Sequence, residues 1–135
     1  MKYTFRIILI VWTIIMLVAS SIKIKPFEPM SFSYADKVVH AVEYAIWAML
    51  FILMLKQENR ISSFAKVIPA LLISGGTLAI LDEIHQSFIP GRKCDFFDFI
   101  ADLIGIAIVA FVAYLIYKHK QKNYIKKQRL ENIRN

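Results

Sequence analysis

Residues 96–117 read FFDFIADLIGIAIVAFVAYLIY, and this stretch decides the fold. Asp98 and Asp102 stand in its first two turns, and no other charge follows before Lys118. About 20 apolar residues in a helix cross a hydrocarbon core of roughly 30 Å, so the run predicts a membrane span. Three further runs repeat the pattern. Phe5 to Ile22 carries only Arg6, at its edge; Val38 to Leu55 is interrupted by His40 and Glu43 near its start; Val67 to Leu81 is uncharged and then enters Asp82, Glu83, His85 and Gln86. Backbone groups in lipid must satisfy each other internally, and no strand alternation competes with four helices. The expected fold class is therefore all-α: a polytopic membrane protein with a four-helix transmembrane bundle. Its helices are expected at about 5–22, 38–55, 67–87 and 96–117, within a domain spanning 1–117, followed by a basic tail at 118–135.

Composition points the same way. A chain of 135 residues that is 58% hydrophobic, with only 4 Gly and 4 Pro, is one domain's worth and excludes an ordinary soluble design. Lys2 and Arg6 before an apolar core, with Val18-Ala19-Ser20 beyond it, give the first run some features of a signal peptide. Its length and the even topology gained by keeping it favour a retained span. Cys94 is the only cysteine, which rules out an intramolecular disulfide.

Orientation follows from the short loops, because cytoplasmic loops retain Lys and Arg. Twelve basic residues fall on one side: Lys2 and Arg6, then Lys56, Arg60 and Lys66, then the seven of the tail from Lys118 to Arg134. Five fall on the other: Lys23, Lys25, Lys37, Arg92 and Lys93. Both termini are therefore expected in the cytoplasm. The acids do the opposite. Only Glu58 and Glu131 lie on the predicted cytoplasmic side, so the net charge of +7 is a basic fringe masking an acidic outer end. Each tail cation near anionic lipid contributes about 1 kcal/mol, and the tail reads as a topology anchor. Aromatic or Gly interleaving is nearly absent from it, which argues against nucleic acid as a partner.

Helical spacing decides which polar groups can meet. Asp36, His40 and Tyr44 form one stripe at i, i+4 and i+8 on the entrance of the second helix. Asp82 and Gln86 are four apart, and Glu83 and Gln86 three apart, at the exit of the third. Asp95, Asp98 and Asp102 follow at i, i+3 and i+7 on the entrance of the fourth. His85 and Glu43 fall off these stripes and read as solvent-facing. Pro90-Gly91 is a turn signal expected to aim Arg92 back toward the acids. Gly75, Gly76 and Gly105 read as points of close helix approach. An ionised side chain at the bilayer centre costs about 2.5–3.5 kcal/mol or more, so these groups need partners or water. The expected arrangement is a polar pocket inside the bundle, open at the outer surface, with Arg92, His40 or Lys37 paired to carboxylates. Asp36 and Asp95 also stand where a first-turn or capping acid is favourable in its own right.

The blocks Asp36-Lys37-x-x-His40-x-x-x-Tyr44, Asp82-Glu83-x-x-Gln86-x-Phe88-x-Pro90-Gly91-Arg92 and Asp98-x-x-x-Asp102-x-x-Gly105 resemble, in order and spacing, those of the VanZ-like family. The resemblance spans residues 36–105. It implies a multi-pass protein of the bacterial cell membrane, and its founding member is linked to low-level teicoplanin resistance. Asp102 stands where the family typically has Asn, and Asp95 where a small hydroxyl residue is common, so this site is the more acidic.

Three functions fit. In the first, Asp36, His40, Tyr44, Asp82, Glu83, Gln86, Arg92, Asp98 and Asp102 line a pocket that acts on a lipid-linked or cell-wall ligand by acid/base chemistry. The same donors admit a divalent cation at Glu83, Asp98, Asp102 and His40. Arg92 can grip a phosphate or carboxylate. Neither Ser87 nor Cys94 has a placed base, and P-loop and zinc-protease motifs are absent. The second is a non-enzymatic envelope protein that binds glycopeptides or lipid-bearing molecules. The third, a proton-coupled transporter, is disfavoured because no acid lies deep in the cytoplasmic half.

Overall fold

The computed structural model describes residues 3–22, 33–58, 64–92 and 94–134; Lys2, Lys23, Lys25, Glu28, Arg60 and Lys93 lie outside the described residues. The apolar runs form four helices: α1 (Thr4–Ser21), α2 (Ser33–Gln57), α3 (Phe64–Ser87) and α4 (Phe96–Arg134). No strand occurs among the described residues. Each helix is long and apolar enough to cross a membrane.

Two helices exceed the apolar runs that announce them. α2 begins at Ser33, ahead of Val38, and places Asp36 in its first turn, where a carboxylate complements the positive end of the helix dipole. α4 continues through residues 118–134. No Gly or Pro follows Gly105, and the Lys, Gln and Arg residues there are good helix formers. At 1.5 Å per residue the extension projects about 25 Å beyond Tyr117.

The helices run up and down. At one end, here called basal, the start of α1 meets the end of α2: Phe5 N donates to Gln57 Oε1 (3.0 Å) and Arg6 Nη2 pairs with Glu58 Oε2 (2.6 Å). Phe64, opening α3, stacks on Tyr117 of α4 with ring centroids 4.7 Å apart at the same end. The opposite end gathers the exit of α1, the entrance of α2, the exit of α3 and the entrance of α4. α2 and α4 share the most extensive interface.

Gly105 explains that intimacy. A Cβ there would collide with the Ala41 carbonyl oxygen, so the α4 backbone rests directly on that of α2. Gly75 likewise admits Ile106 and Trp47, whereas Gly76 faces nothing nearer than Leu103 at 3.9 Å. α1 is fastened to α2 by two indoles: Trp12 Nε1 donates to the Glu43 carbonyl (3.1 Å), and Trp47 Nε1 to Thr13 Oγ1 (3.0 Å). The apolar core runs through Leu9, Met16, Trp47, Leu71 and Ile106.

The distribution of burial is inverted relative to a water-soluble protein. Ile7, Ile14, Ile73, Ile108 and Phe111 are exposed, while His40, Gln86 and Asp102 are buried. Lipid as the solvent accounts for this: it accepts isoleucine freely and offers nothing to a carboxylate.

Candidate functional site

Three of the four helices deliver the acidic cluster. Asp36, Lys37, His40 and Tyr44 come from the first three turns of α2, Asp82, Glu83 and Gln86 from the last two of α3, and Asp98 and Asp102 from the first two of α4. His40, Tyr44, Asp82, Glu83, Gln86, Asp98 and Asp102 are all buried, with Gln86 and Asp102 fully so. Asp36 and Arg92 are half-buried. The stripes read from spacing thus converge at one end of the bundle.

The connections cross between helices. His40 Nδ1 meets Asp102 Oδ1 at 3.0 Å, tying α2 to α4 in the buried interior. Lys37 Nζ spans the same pair nearer the surface, 2.8 Å from Asp98 Oδ1 and 3.0 Å from Asp95 Oδ2. Glu83 Oε2 accepts the Asp95 backbone N–H at 2.8 Å, which holds the turn between α3 and α4 against α3. Asp82 accepts from Gln86 Nε2 (3.1 Å) and from Ser20 Oγ (2.7 Å), so α1 joins the network.

Asp95 is the N-cap of α4. Its Oδ1 accepts the Phe97 N–H at 2.8 Å while its Oδ2 takes Lys37, and these two donors hold its carboxyl below the ordinary value of 3.8. Cys94, exposed beside it, faces the Glu83 carboxylate, which pushes the thiol up from its ordinary value.

Arg92 differs from its expected role. Gly91 adopts φ 85°, a left-handed conformation suited to glycine, and the turn directs Arg92 to α1, where Nη2 donates to the Ile22 carbonyl at 3.3 Å. It pairs with no carboxylate among the described residues; Lys37 is the cation that does. Three further participants were not singled out by the spacing. Ser20 and Ser21 end α1, and Ser21 Oγ lies 2.8 Å from His85 Nε2, so His85 has a partner within the bundle. Glu43 is half-buried, not fully solvated. A hydroxyl pair closing an otherwise apolar span was the available signal for the serines. Lys37 is one of the three groups that the sequence offers as partners for the carboxylates.

Four buried polar atoms at this end have no hydrogen-bond partner among the described residues: Glu83 Oε1, Gln86 Oε1, Asp102 Oδ2 and Arg92 Nε. Each such atom carries a cost of about 1–3 kcal/mol, so the cluster is set up to receive donors on its acceptor side and an anion or acceptor at Arg92. Of the four residues expected as cation ligands, His40 and Asp98 fall within ligating distance of a third group, Asp36; Glu83 and Asp102 are not part of that set. A separate open groove of about 390 Å³ lies between α1, α2 and α3, lined by Ile10, Thr13, Trp47, Phe51, Ser74 and Leu81 among others. It is almost wholly apolar, and none of the acids lines it.

Compared with known proteins, the chain matches the family model described as VanZ/LLP1 over residues 3–117, which adds the first helix and residues 106–117 of the fourth to the blocks from Asp36 to Gly105. No curated protein and no solved structure matches it.

Proposed function

This chain belongs to the VanZ/LLP1 family, and from that premise we propose that its acidic end opens on the extracytoplasmic face of a bacterial membrane and binds a cell-envelope ligand. The ligand is lipid-linked or of the glycopeptide class, and the consequence for the cell is tolerance to glycopeptides such as teicoplanin. The observation that carries the reading is the set of unpartnered buried atoms at this end, three acceptors on α3 and α4 and one guanidinium nitrogen in the turn between them. A molecule bearing hydroxyl or amide donors next to a phosphate or carboxylate satisfies both at once. Binding without turnover is favoured because neither Ser87 nor Cys94 is an activated nucleophile. Ser87 Oγ is spent on the Ile84 carbonyl at 2.6 Å, and the Cys94 thiol is pushed away from thiolate.

One observation favours a second reading. The His40–Asp102 pair has the form of an oriented general base, so acid/base catalysis on the same ligand is the alternative. The double variant Glu83→Gln with Asp98→Asn tests both, through glycopeptide susceptibility at matched membrane abundance. Loss of tolerance to the level of cells lacking the protein is expected. Full tolerance in the double variant removes any acid/base role for these carboxylates and leaves the binding reading without its charge.

A further inference from the structure

His40 is gripped from behind by Asp102 on α4, while Asp36 stands one turn nearer the mouth on His40's own helix and Asp98 faces both from α4. One donor atom from each of Asp36, His40 and Asp98 lies within 4.8 Å of the others. Ligands about 2.0–2.2 Å from a shared ion sit roughly 3–4 Å apart, so a small change in the side-chain torsions of half-buried Asp36 closes the set. Asp36 is available for that: it makes no hydrogen bond or ion pair with a described side chain. Asp98 engages Lys37 through Oδ1. With the Asp102 carboxylate accepting from Nδ1, a neutral His40 imidazole keeps its lone pair on Nε2, the arrangement in which a carboxylate orients a metal-binding histidine.

We propose that Asp36, His40 and Asp98 bind one divalent transition cation of the zinc or manganese kind, with Asp102 as the residue that positions His40.

An independent observation asks for positive charge here. Asp102 is fully buried, its carboxylate faces His40, and its Oδ2 has no partner among the described residues; Glu83, 95% buried by its 5% relative exposure, likewise leaves Oε1 without one. Asp36, Asp82, Glu83, Asp98 and Asp102 outnumber Lys37 and Arg92 in a region bounded by lipid, where unbalanced carboxylates are costly. One dication meets that excess. The imidazole selects against calcium and magnesium, which take oxygen-only shells, and the two carboxylates select against the softer copper(I). Three protein ligands leave coordination positions open toward the mouth for water or an oxygen of a bound molecule.

The inference does not rest on the ligand reading, and its test uses no envelope molecule. The full chain, purified in micelles and stripped with a chelator, is titrated with Zn²⁺ by calorimetry and with Mn²⁺ by electron paramagnetic resonance. About one ion per chain is expected, with histidine nitrogen coupling to Mn²⁺ that disappears in His40→Gln. Asp36→Asn removes a ligand that makes no hydrogen bond or ion pair with a described side chain and keeps its size, and it is expected to weaken binding at least about 100-fold while the thermal midpoint stays close to the parent's; Asp102→Asn weakens it about 10–100-fold. Glu131→Gln, on the far extension of α4, leaves it unchanged. The proposal is overturned if the parent takes up no stoichiometric ion, if nitrogen coupling is absent, or if Asp36→Asn binds as tightly as the parent.

Discussion

Asp95 shows how much of this site depends on where one carboxylate sits. Its two oxygens serve different masters, one the N–H of Phe97 and the other Lys37, and both hold it ionised below the ordinary value of 3.8. A carboxyl with a depressed folded pKa contributes stability that is present above its unfolded pKa and is lost as pH falls through the folded one. The side chain is 43% exposed, so the contribution is small and screened. Asp95→Asn is therefore expected to lower the thermal midpoint in micelles at neutral pH, and the gap to the parent should close as pH falls below about 4. A gap of constant size down to pH 3 would mean that the charge is irrelevant and only the cap geometry matters. The capping role of Asp95 is legible in the sequence, because an acid just before an apolar helix has a local consequence. The His40–Asp102 pair is not. Spacing says which residues share a face of one helix, but the partner across an interface depends on helix rotation and register. Those are set by contacts between residues distant in the chain, such as Gly105 against the Ala41 backbone and Gly75 against Trp47. Arg92 illustrates the same limit: the turn at Pro90-Gly91 is plain from the residues, whereas its aim toward Ile22 and away from the acids depends on where α1 ends.

At the scale of elements, the three helical glycines make a graded experiment. Gly105 is pressed on the backbone of Ala41 and Ala45, Gly75 on the flexible end of Ile106, and Gly76 on nothing closer than ordinary contact. Backbone cannot move aside as a side chain can. Gly105→Ala is expected to cost about 1–3 kcal/mol or to disrupt the α2–α4 seam outright, and Gly75→Ala to cost less. Gly76→Ala should be neutral or stabilising by up to about 1 kcal/mol, since Ala is the better helix former. Unfolding in micelles by heat or denaturing detergent orders the three, and equal losses at all positions would show that close approach is not what the glycines provide. The existence of all four helices follows from apolarity alone, since lipid leaves no other way to satisfy a backbone. Their extents do not follow. Hydropathy marks the stretch that lies in hydrocarbon, while helix length is decided by propensity and caps, so α2 starts early at Ser33 and α4 runs on to Arg134 through residues that no hydropathy reading would include.

For the molecule as a whole, the separation of charge proposes an orientation that a single thiol can test. The basal end carries Arg6, Lys56 and Lys66, and the α4 extension adds Lys118, Lys120, Lys122, Lys126, Lys127 and Arg129; the opposite end holds the buried acids with Lys37 and Arg92. Retention of basic residues on the cytoplasmic side is the ground for proposing that the acidic end faces outside. Cys94 is exposed at that end and is the only cysteine, so it reports without engineering. Glu83 pushes its thiol up, which slows thiolate chemistry at neutral pH, so labelling of intact cells with a membrane-impermeant maleimide belongs at mildly alkaline pH. Modification of intact cells is expected, faster as pH rises, and Glu83→Gln should accelerate it at neutral pH by removing the neighbouring charge. Labelling that requires permeabilisation would invert the molecule and place the acids inside the cell. The two results are independent: the pH effect reports the Glu83–Cys94 neighbourhood whichever way the bundle faces, and side dependence reports topology whatever the thiol's pKa. An acidic end shown to face outward, with Glu83 acting on Cys94, would leave the cluster within reach of envelope molecules without their crossing the membrane. That access is the physical requirement the proposed binding role cannot do without.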